Sequence, residues 1–534
     1  MKCQWGLLFV GVAIAQAASL ERNVGSGRAA QVHLPKISTV ATNASQAIDR
    51  RLASFSFELS FLPTFAGNKS HPNVLTRELM KRLEERTGVG PDVRPGGISV
   101  DSSVFDPHAP ALVLDESPTG GIYKSTFGPA FFDFLDVFPK STRVLWSVNL
   151  GNNTIGFAQA GIKAAIKYIG WDRLFAFELG NEADHYAGGS RPSGWSSADY
   201  TAQFIGWTSF LTRNLSLPHH IFLAGGFAED PTSAAPMTTV SIIKDGVDTT
   251  GVIKLFAQHT YQYSTCDPAR NAIATLAHLV NHRNITAYLD LWKPQIAAAH
   301  KAGKEFIVAS DLEYSSVSCS GKQNVTDTFG QALWLADTIL YGGTINIARM
   351  HLHQGATLVF QSSQQANSPG FSWYDLWYPV ESDRYGAARA SPSFVAYLLV
   401  TEAVGRSGLA RFSLIDVPEH PDLAVYAIWD PAVRKTGIAR LAVLNVAVRN
   451  ETTSGEDAAG MAVTLDLSPY VQKGKQATAK RMQAPGLDSK DSTRVTWAGQ
   501  SYANGTAAGE EVVEKLKDGK ITVEGSEGVL VFFA

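Results

Sequence analysis

Phe175-Ala176-Phe177-Glu178-Leu179-Gly180-Asn181-Glu182 is an apolar run that ends on an amide and a carboxylate. Its aromatic and aliphatic residues, and the Gly that stops it, read as a buried strand. A carboxylate at the mouth of such a strand, with an amide donor beside it, suits general acid/base work on a sugar. Most glutamates are solvated surface residues, so the pair takes its meaning from what surrounds it.

Outward from that strand, short apolar runs alternate with helical stretches from about Phe55 to about Tyr397. The candidate strands are Ser54–Leu59, Asp92–Pro95, Arg143–Leu150, Phe175–Leu179, Ile221–Gly225, Leu255–His259, Phe306–Ser310 and Ile345–His351. Between them, Val74–Thr87, Ala158–Ile169, Ala198–Asn214, Leu276–Ala302 (broken at Pro294) and Asp327–Tyr341 carry apolar residues three and four apart. Eight strands with intervening helices predict an α/β fold, a closed (β/α)8 TIM barrel over 51–398. An open doubly wound sheet is disfavoured because no Gly-rich phosphate fingerprint follows a first strand.

Beyond Leu399 the pattern becomes short alternating strands with Gly, Asp, Ser and Pro turns, which predicts a C-terminal antiparallel β-sandwich over 399–534. The segment 19–50 has similar β character at Gln31–Ala41 and is expected to pair with that module. Residues 1–18 join a charged start, a short apolar run and an Ala-x-Ala pattern, the form of a signal peptide. A secreted, extracellular glycoprotein is expected, with Asn-x-Ser/Thr sequons at Asn43, Asn68, Asn152, Asn214, Asn284, Asn324, Asn450 and Asn504. The apolar run is well short of the ~20 residues of a membrane span, so no membrane partner is expected.

A formal net charge of −3 over 534 residues, without a Lys/Arg stripe, gives no electrostatic footprint for nucleic acid. Leader cleavage removes Cys3 and leaves Cys266 and Cys319, which favours one disulfide in an oxidising compartment over two free thiols. His351 and His353 share a strand face and could ligate a metal, but no carboxylate or Cys with ligand spacing stands near. Substrate hydrogen bonding or packing is the better reading, with no metal and no cofactor.

In a barrel the active site gathers at the C-terminal ends of the strands. Glu182 follows the fourth candidate strand and Glu313 the seventh, 131 residues apart, or three βα units of one barrel. Paired carboxylates across a glycosidic bond divide the labour between proton donor and nucleophile, and a gap of about 5 to 5.5 Å gives retention. Asp311 shares parity with Glu313 and is a rival nucleophile, but it sits deeper, where an unpaired charge is costly. His259, Tyr261 and Gln262 end the sixth strand and either line the pocket or are structural.

The run Phe55-Ser56-Phe57-Glu58, the helix start at Asn73, Arg94-Pro95-Gly96-Gly97 through Asp101, Phe177 to Glu182, and Glu313-Tyr314-Ser315-Ser316-Val317-Ser318-Cys319-Ser320-Gly321 together resemble glycoside hydrolase family 79. That family contains β-glucuronidases and the heparanases, and secreted fungal members are the nearest in style. The resemblance implies a retaining exo-β-glycosidase, most simply a β-glucuronidase or 4-O-methyl-glucuronidase, acting on a β-linked uronosyl glycan. It assigns acid/base chemistry to Glu182 and the covalent intermediate to Glu313, and it gives Asn181 a bond to the substrate 2-hydroxyl.

Further substrate-binding candidates are Tyr261, His259, Ser318, Ser320, His353, Gln354, Glu58 and Arg94. Glu58 and Asp101 bond sugar hydroxyls or else satisfy Arg94. The chain departs from the family where Ser318-Cys319-Ser320 replaces a carboxylate-holding Tyr-x-Gly, and where Phe360 replaces a Tyr. Both changes fall on recognition of the sugar C6 group. Trp373, Tyr374, Trp377 and Tyr378 form either a sugar-stacking platform or a seam between the two modules. The alternatives are an endo-acting heparanase-like hydrolase, which needs a basic cleft, and a catalytically silent cell-wall carbohydrate-binding protein.

Overall fold

The computed structural model describes residues 29–534 apart from 117–121, 309–313, 320, 358–369 and 383–384. The leader, Asp311, Glu313, Ser320 and Phe360 lie outside the described residues.

Eight parallel strands form the barrel: β1 (Ala53–Glu58), β2 (Val93–Gly96), β3 (Val144–Val148), β4 (Leu174–Leu179), β5 (Phe222–Phe227), β6 (Ile253–Gln258), β7 (Glu305–Val308) and β8 (Met350–Gln354). Each pairs with the next, and β8 closes on β1 in the register Met350 to Ala53 through Gln354 to Phe57. Inner positions of β3 to β7 supply a compact apolar plug of Leu145, Ala176, Leu223, Leu255, Ala257 and Ile307. The intervening residues, Phe177 and Leu179 among them, join the much larger core under the outer helices. This double burial is why the strands read as continuous apolar runs.

Three features differ from the sequence expectation. The eighth strand runs Met350–Gln354 instead of Ile345–His351, because the preceding helix continues over Phe329–Thr344 and turns through Asn346 at φ 68°. Ile345 and Ile347 are β-branched, yet their amides close that turn onto Tyr341 and Gly342. The long helix expected over Leu276–Ala302 is three pieces, Leu276–Leu279, His282–Leu289 and Lys293–Lys301. Asn281 caps the second piece, and Pro294 sits in the first turn of the third, where its missing N–H costs nothing. A three-stranded sheet of Ser103–Phe105, Leu112–Glu116 and Ile122–Phe127, inserted after β2, was not anticipated.

The N-terminal end of the barrel is closed by charge. Buried Arg349 donates to Asp49 at 2.7 Å and to Glu305 at 2.5 Å, and Arg143 donates to Asp92 at 2.6 and 2.8 Å. The Phe175 ring lies 4.0 Å from the Arg143 guanidinium and 3.8 Å from the Lys254 ammonium. Opposite charges and a π face thus offset the desolvation of three cations, and the other end of the barrel is left for the site.

The C-terminal module has a large antiparallel sheet, containing Arg411–Leu414, Leu423–Trp429, Arg440–Asn445, Glu527–Phe532, Thr478–Gln483 and Thr496–Trp497. A second sheet joins Ala30–Val32 parallel to Val463–Asp466 and adds Lys520–Val523. Leu423–Trp429 is buried at every position. Val425, Ala427 and Trp429 face the small sheet, while Ala424, Tyr426 and Ile428 face the barrel. Trp377 donates its indole N–H to Thr76 Oγ1 and packs edge-on against Phe55, Phe57 and Phe65. Tyr374, Trp377 and Tyr378 are all buried, and the contacts of Trp377 are with the barrel.

Candidate active site

Gly180 at φ 79° ends β4, and the chain then takes a second left-handed step at Glu182, φ 46°. A Cβ at Gly180 would lie 2.6 Å from Leu150 Cβ and 2.4 Å from the Tyr186 hydroxyl, so only Gly fits. Asp101 holds the turn. One of its oxygens accepts from the amides of Leu150 and Gly151, the other from the Asn181 amide and the Tyr186 hydroxyl. The Glu182 amide donates to Gly226 O at the end of β5. The expectation that Asp101 bonds sugar or satisfies Arg94 is therefore corrected: Asp101 builds the Asn181-Glu182 turn.

The Glu182 side chain is 14% exposed. Its Oε1 lies 2.9 Å from His259 Nδ1 and accepts from the Tyr261 hydroxyl at 3.2 Å. Its Oε2 faces His185 Nδ1 at 3.5 Å. Burial works to raise the Glu182 pKa, but hydrogen bonding by His185 and His259 and their charge outweigh it and hold the carboxyl below its usual range.

Other sequence candidates divide into those that meet Glu182 and those that do not. His259 and Tyr261 converge on it, with rings 6.2 Å apart and edge to face. Arg94, expected to touch substrate, is fully buried within the barrel. Its Nε and Nη2 each lie 2.8 Å from Glu178 Oε2, and its Nη1 donates to Ser56. Gln354 is likewise taken up by the scaffold: its amide donates to His353 O and its carbonyl accepts from the Leu376 amide. Ser318 lies on a short strand, Tyr314–Ser318, that pairs with Thr260–Ser264 beyond the sixth strand, and its carbonyl accepts from Thr265. The next residue, Cys319, is bonded to Cys266 with Cα atoms 6.2 Å apart.

His353 and Glu58 meet across the β8 and β1 ends, with Nε2 and Oε2 3.9 Å apart. Burial and Arg94 push His353 well below the usual imidazole range, so it is neutral. Burial raises Glu58 to about 7, against hydrogen bonds from the Ser99 hydroxyl and amide. Glu58 thus binds its proton more tightly folded than unfolded. Stability from this group is complete below about pH 4.5 and is lost as pH rises through about 7. Glu58→Gln is expected to flatten that decline, by on the order of 3 kcal/mol at neutral pH. Melting curves of both proteins across this window check it, and parallel pH profiles would contradict it.

His185 and Glu229 were missed. His185 stands three residues after Glu182, and Glu229 lies just past β5. The rule that singled out the strand ends at β4 and β7 reaches both.

A family model described as the glycosyl hydrolase family 79 C-terminal beta domain matches residues 425–530, which lie in the β module. Over 98% of this chain and 96% of its relative, the sequence is 26% identical to a β-glucuronidase of Aspergillus niger. It is 27% identical to a β-glucuronidase of Neurospora crassa, over 88% of each chain. The C-terminal module is thus similar to the β domain of glycoside hydrolase family 79, and the whole chain is similar to fungal β-glucuronidases. The chain also shares its fold with a solved 4-O-α-L-rhamnosyl-β-D-glucuronidase of Fusarium oxysporum, at TM-score 0.77 and 22% identity over 94% of this chain and 100% of that one. A family 51 α-L-arabinofuranosidase of Bifidobacterium longum superposes with TM-score 0.56 and 14% identity, over 94% of this chain and 99% of that one.

Proposed function

We propose that this hydrolase is a secreted exo-acting β-glucuronidase, active on glucuronides or their 4-O-methyl ethers at the ends of glycan side chains. The observation that carries the reading is a partly buried carboxylate, Glu182, at the C-terminal mouth of a barrel whose sequence relatives, named β-glucuronidases, match almost the whole chain. The leader pattern of residues 1–18 and the Cys266–Cys319 bond support secretion.

In the proposed double displacement, Glu182 protonates the glycosidic oxygen while Glu313 attacks the anomeric carbon. The aglycone leaves as an alcohol, and a glycosyl ester forms on Glu313. Glu182, now a carboxylate, takes a proton from water, which attacks the ester and releases the sugar with retained configuration. Oε1 of Glu182 already accepts from His259 and Tyr261, so Oε2 is the oxygen that carries the transferable proton. Asn181 beside it is the proposed partner of the sugar 2-hydroxyl, a contact that strengthens in the transition state.

The test is a panel of aryl β-glucuronides, aryl 4-O-methyl-β-glucuronides and neutral aryl β-glycosides offered to the purified protein. Turnover of a uronide, and its loss in Glu313→Gln, is the expected result. Turnover of neutral glycosides alone would overturn the substrate, and full activity in Glu313→Gln would overturn the nucleophile.

A further inference from the structure

His185 bridges two carboxylates with its two ring nitrogens. Nδ1 lies 3.5 Å from Glu182 Oε2, and Nε2 lies 3.1 Å from Glu229 Oε1. Both ends of this bridge are fixed by backbone. The 3-10 turn Ala183–Tyr186 brings the His185 amide onto Glu182 O at 2.8 Å. Asp184 in the same turn accepts from the amides of Ala228 and Glu229, and Gln258 at the end of β6 donates to Glu229 O. Three strand ends therefore hold one imidazole between the buried carboxylate and solvent. The His185 side chain is 51% exposed and that of Glu229 is 54% exposed, against 14% for Glu182.

We propose that His185, braced by Glu229, is a positioning residue that stores the proton Glu182 delivers and takes it back between turnovers. The inference rests on the acid/base reading of Glu182. In the free enzyme the proton sits on the imidazole, and Glu182 is a carboxylate. When substrate excludes water, the His185 Nδ1 proton moves to Glu182 Oε2, leaving a neutral imidazole. Glu182 then passes it to the departing oxygen, regains one from the attacking water, and returns it to His185 as product leaves. One proton circulates, and no external acid is required.

The charged surroundings agree. Hydrogen bonds donated to Glu182 and Glu229, and the charge of Glu182 and Asp184, raise the His185 pKa to about 11 against partial burial. Glu229 is held below its usual range by His185, with Arg270 adding in the same direction. On the far side of Glu182 stand His259 and Tyr261; beyond Glu229 are Asp230, with Arg270 3.9 Å away, and Tyr288, which donates to Asp230. His259 is buried, so His185 is the imidazole of the pair that exchanges with solvent.

Two measurements test this. The first needs no substrate: the imidazole NMR titration of His185, assigned by its loss in His185→Gln. It is expected to fall toward the ordinary imidazole range in Glu229→Gln and in Glu182→Gln, and an unchanged titration in both would overturn the proposal. The second compares leaving groups. His185→Gln is expected to lower kcat/KM for phenyl β-glucuronide by about ten- to a hundredfold while leaving 2,4-dinitrophenyl β-glucuronide within about twofold, since a good leaving group departs unprotonated. Equal losses on both substrates, or none on either, would overturn it. Failure of the native enzyme on both glucuronides, with the expected titration intact, would instead refute the substrate reading.

Discussion

Glu182→Gln is expected to lower kcat/KM for phenyl β-glucuronide by about 10²- to 10⁴-fold, the contribution typical of a positioned general acid. The fold should not notice. The substituted amide keeps a carbonyl oxygen where Glu182 Oε1 accepts from His259 and Tyr261, and Asp101 still pins the turn. With a 2,4-dinitrophenyl leaving group the first step is largely spared, but the second then lacks its base, so the glycosyl enzyme accumulates and KM falls together with kcat. Azide, which attacks without base assistance, should restore turnover and yield the glycosyl azide. Steady-state kinetics with both leaving groups, alongside melting curves, check these outcomes. A variant with native kcat/KM on phenyl β-glucuronide would remove Glu182 from the mechanism.

Arg94→Leu is expected to destabilise the protein by about 3–5 kcal/mol, because it strands a buried carboxylate. Glu178 accepts from Arg94 at 2.8 Å and from the Ser147 hydroxyl at 2.7 Å, and both members of the ion pair are almost completely buried. The remaining serine cannot compensate a full charge. Removing the partner as well, in Arg94→Leu with Glu178→Leu, should recover most of the loss, since apolar side chains tolerate the barrel interior better than one unpaired ion. Denaturant unfolding of the single and double variants measures this. A single variant that loses activity at native stability would return Arg94 to the role of a substrate ligand.

Much of the scaffold was legible because the barrel strands are buried on both faces. Phe175–Leu179 and Leu255–His259 stand out as apolar runs whatever their partners, and turn residues bound them. The eighth strand was misread for a local reason. Ile345 and Ile347 carry strand propensity, but the helix before them ends in a left-handed turn that only the neighbouring packing dictates. Glu182 was legible from its position after a strand. The direction of its pKa was not, because it depends on His185 and His259, one three residues away in the chain and the other 77. Arg94 and Gln354 look like ligands in a sequence, since polarity beside a strand end is the only visible signal. Their use inside the scaffold follows from Glu178, Ser56 and Leu376, which the chain brings to them only on folding.

The most direct test of the whole account is proton NMR of the sugar first released from phenyl β-glucuronide, recorded before mutarotation. A retaining double displacement by Glu182 and Glu313 yields β-glucuronic acid as the initial product. Initial appearance of the α-anomer would contradict it, because a single displacement by water leaves no covalent role for Glu313 and requires a base in place of a nucleophile.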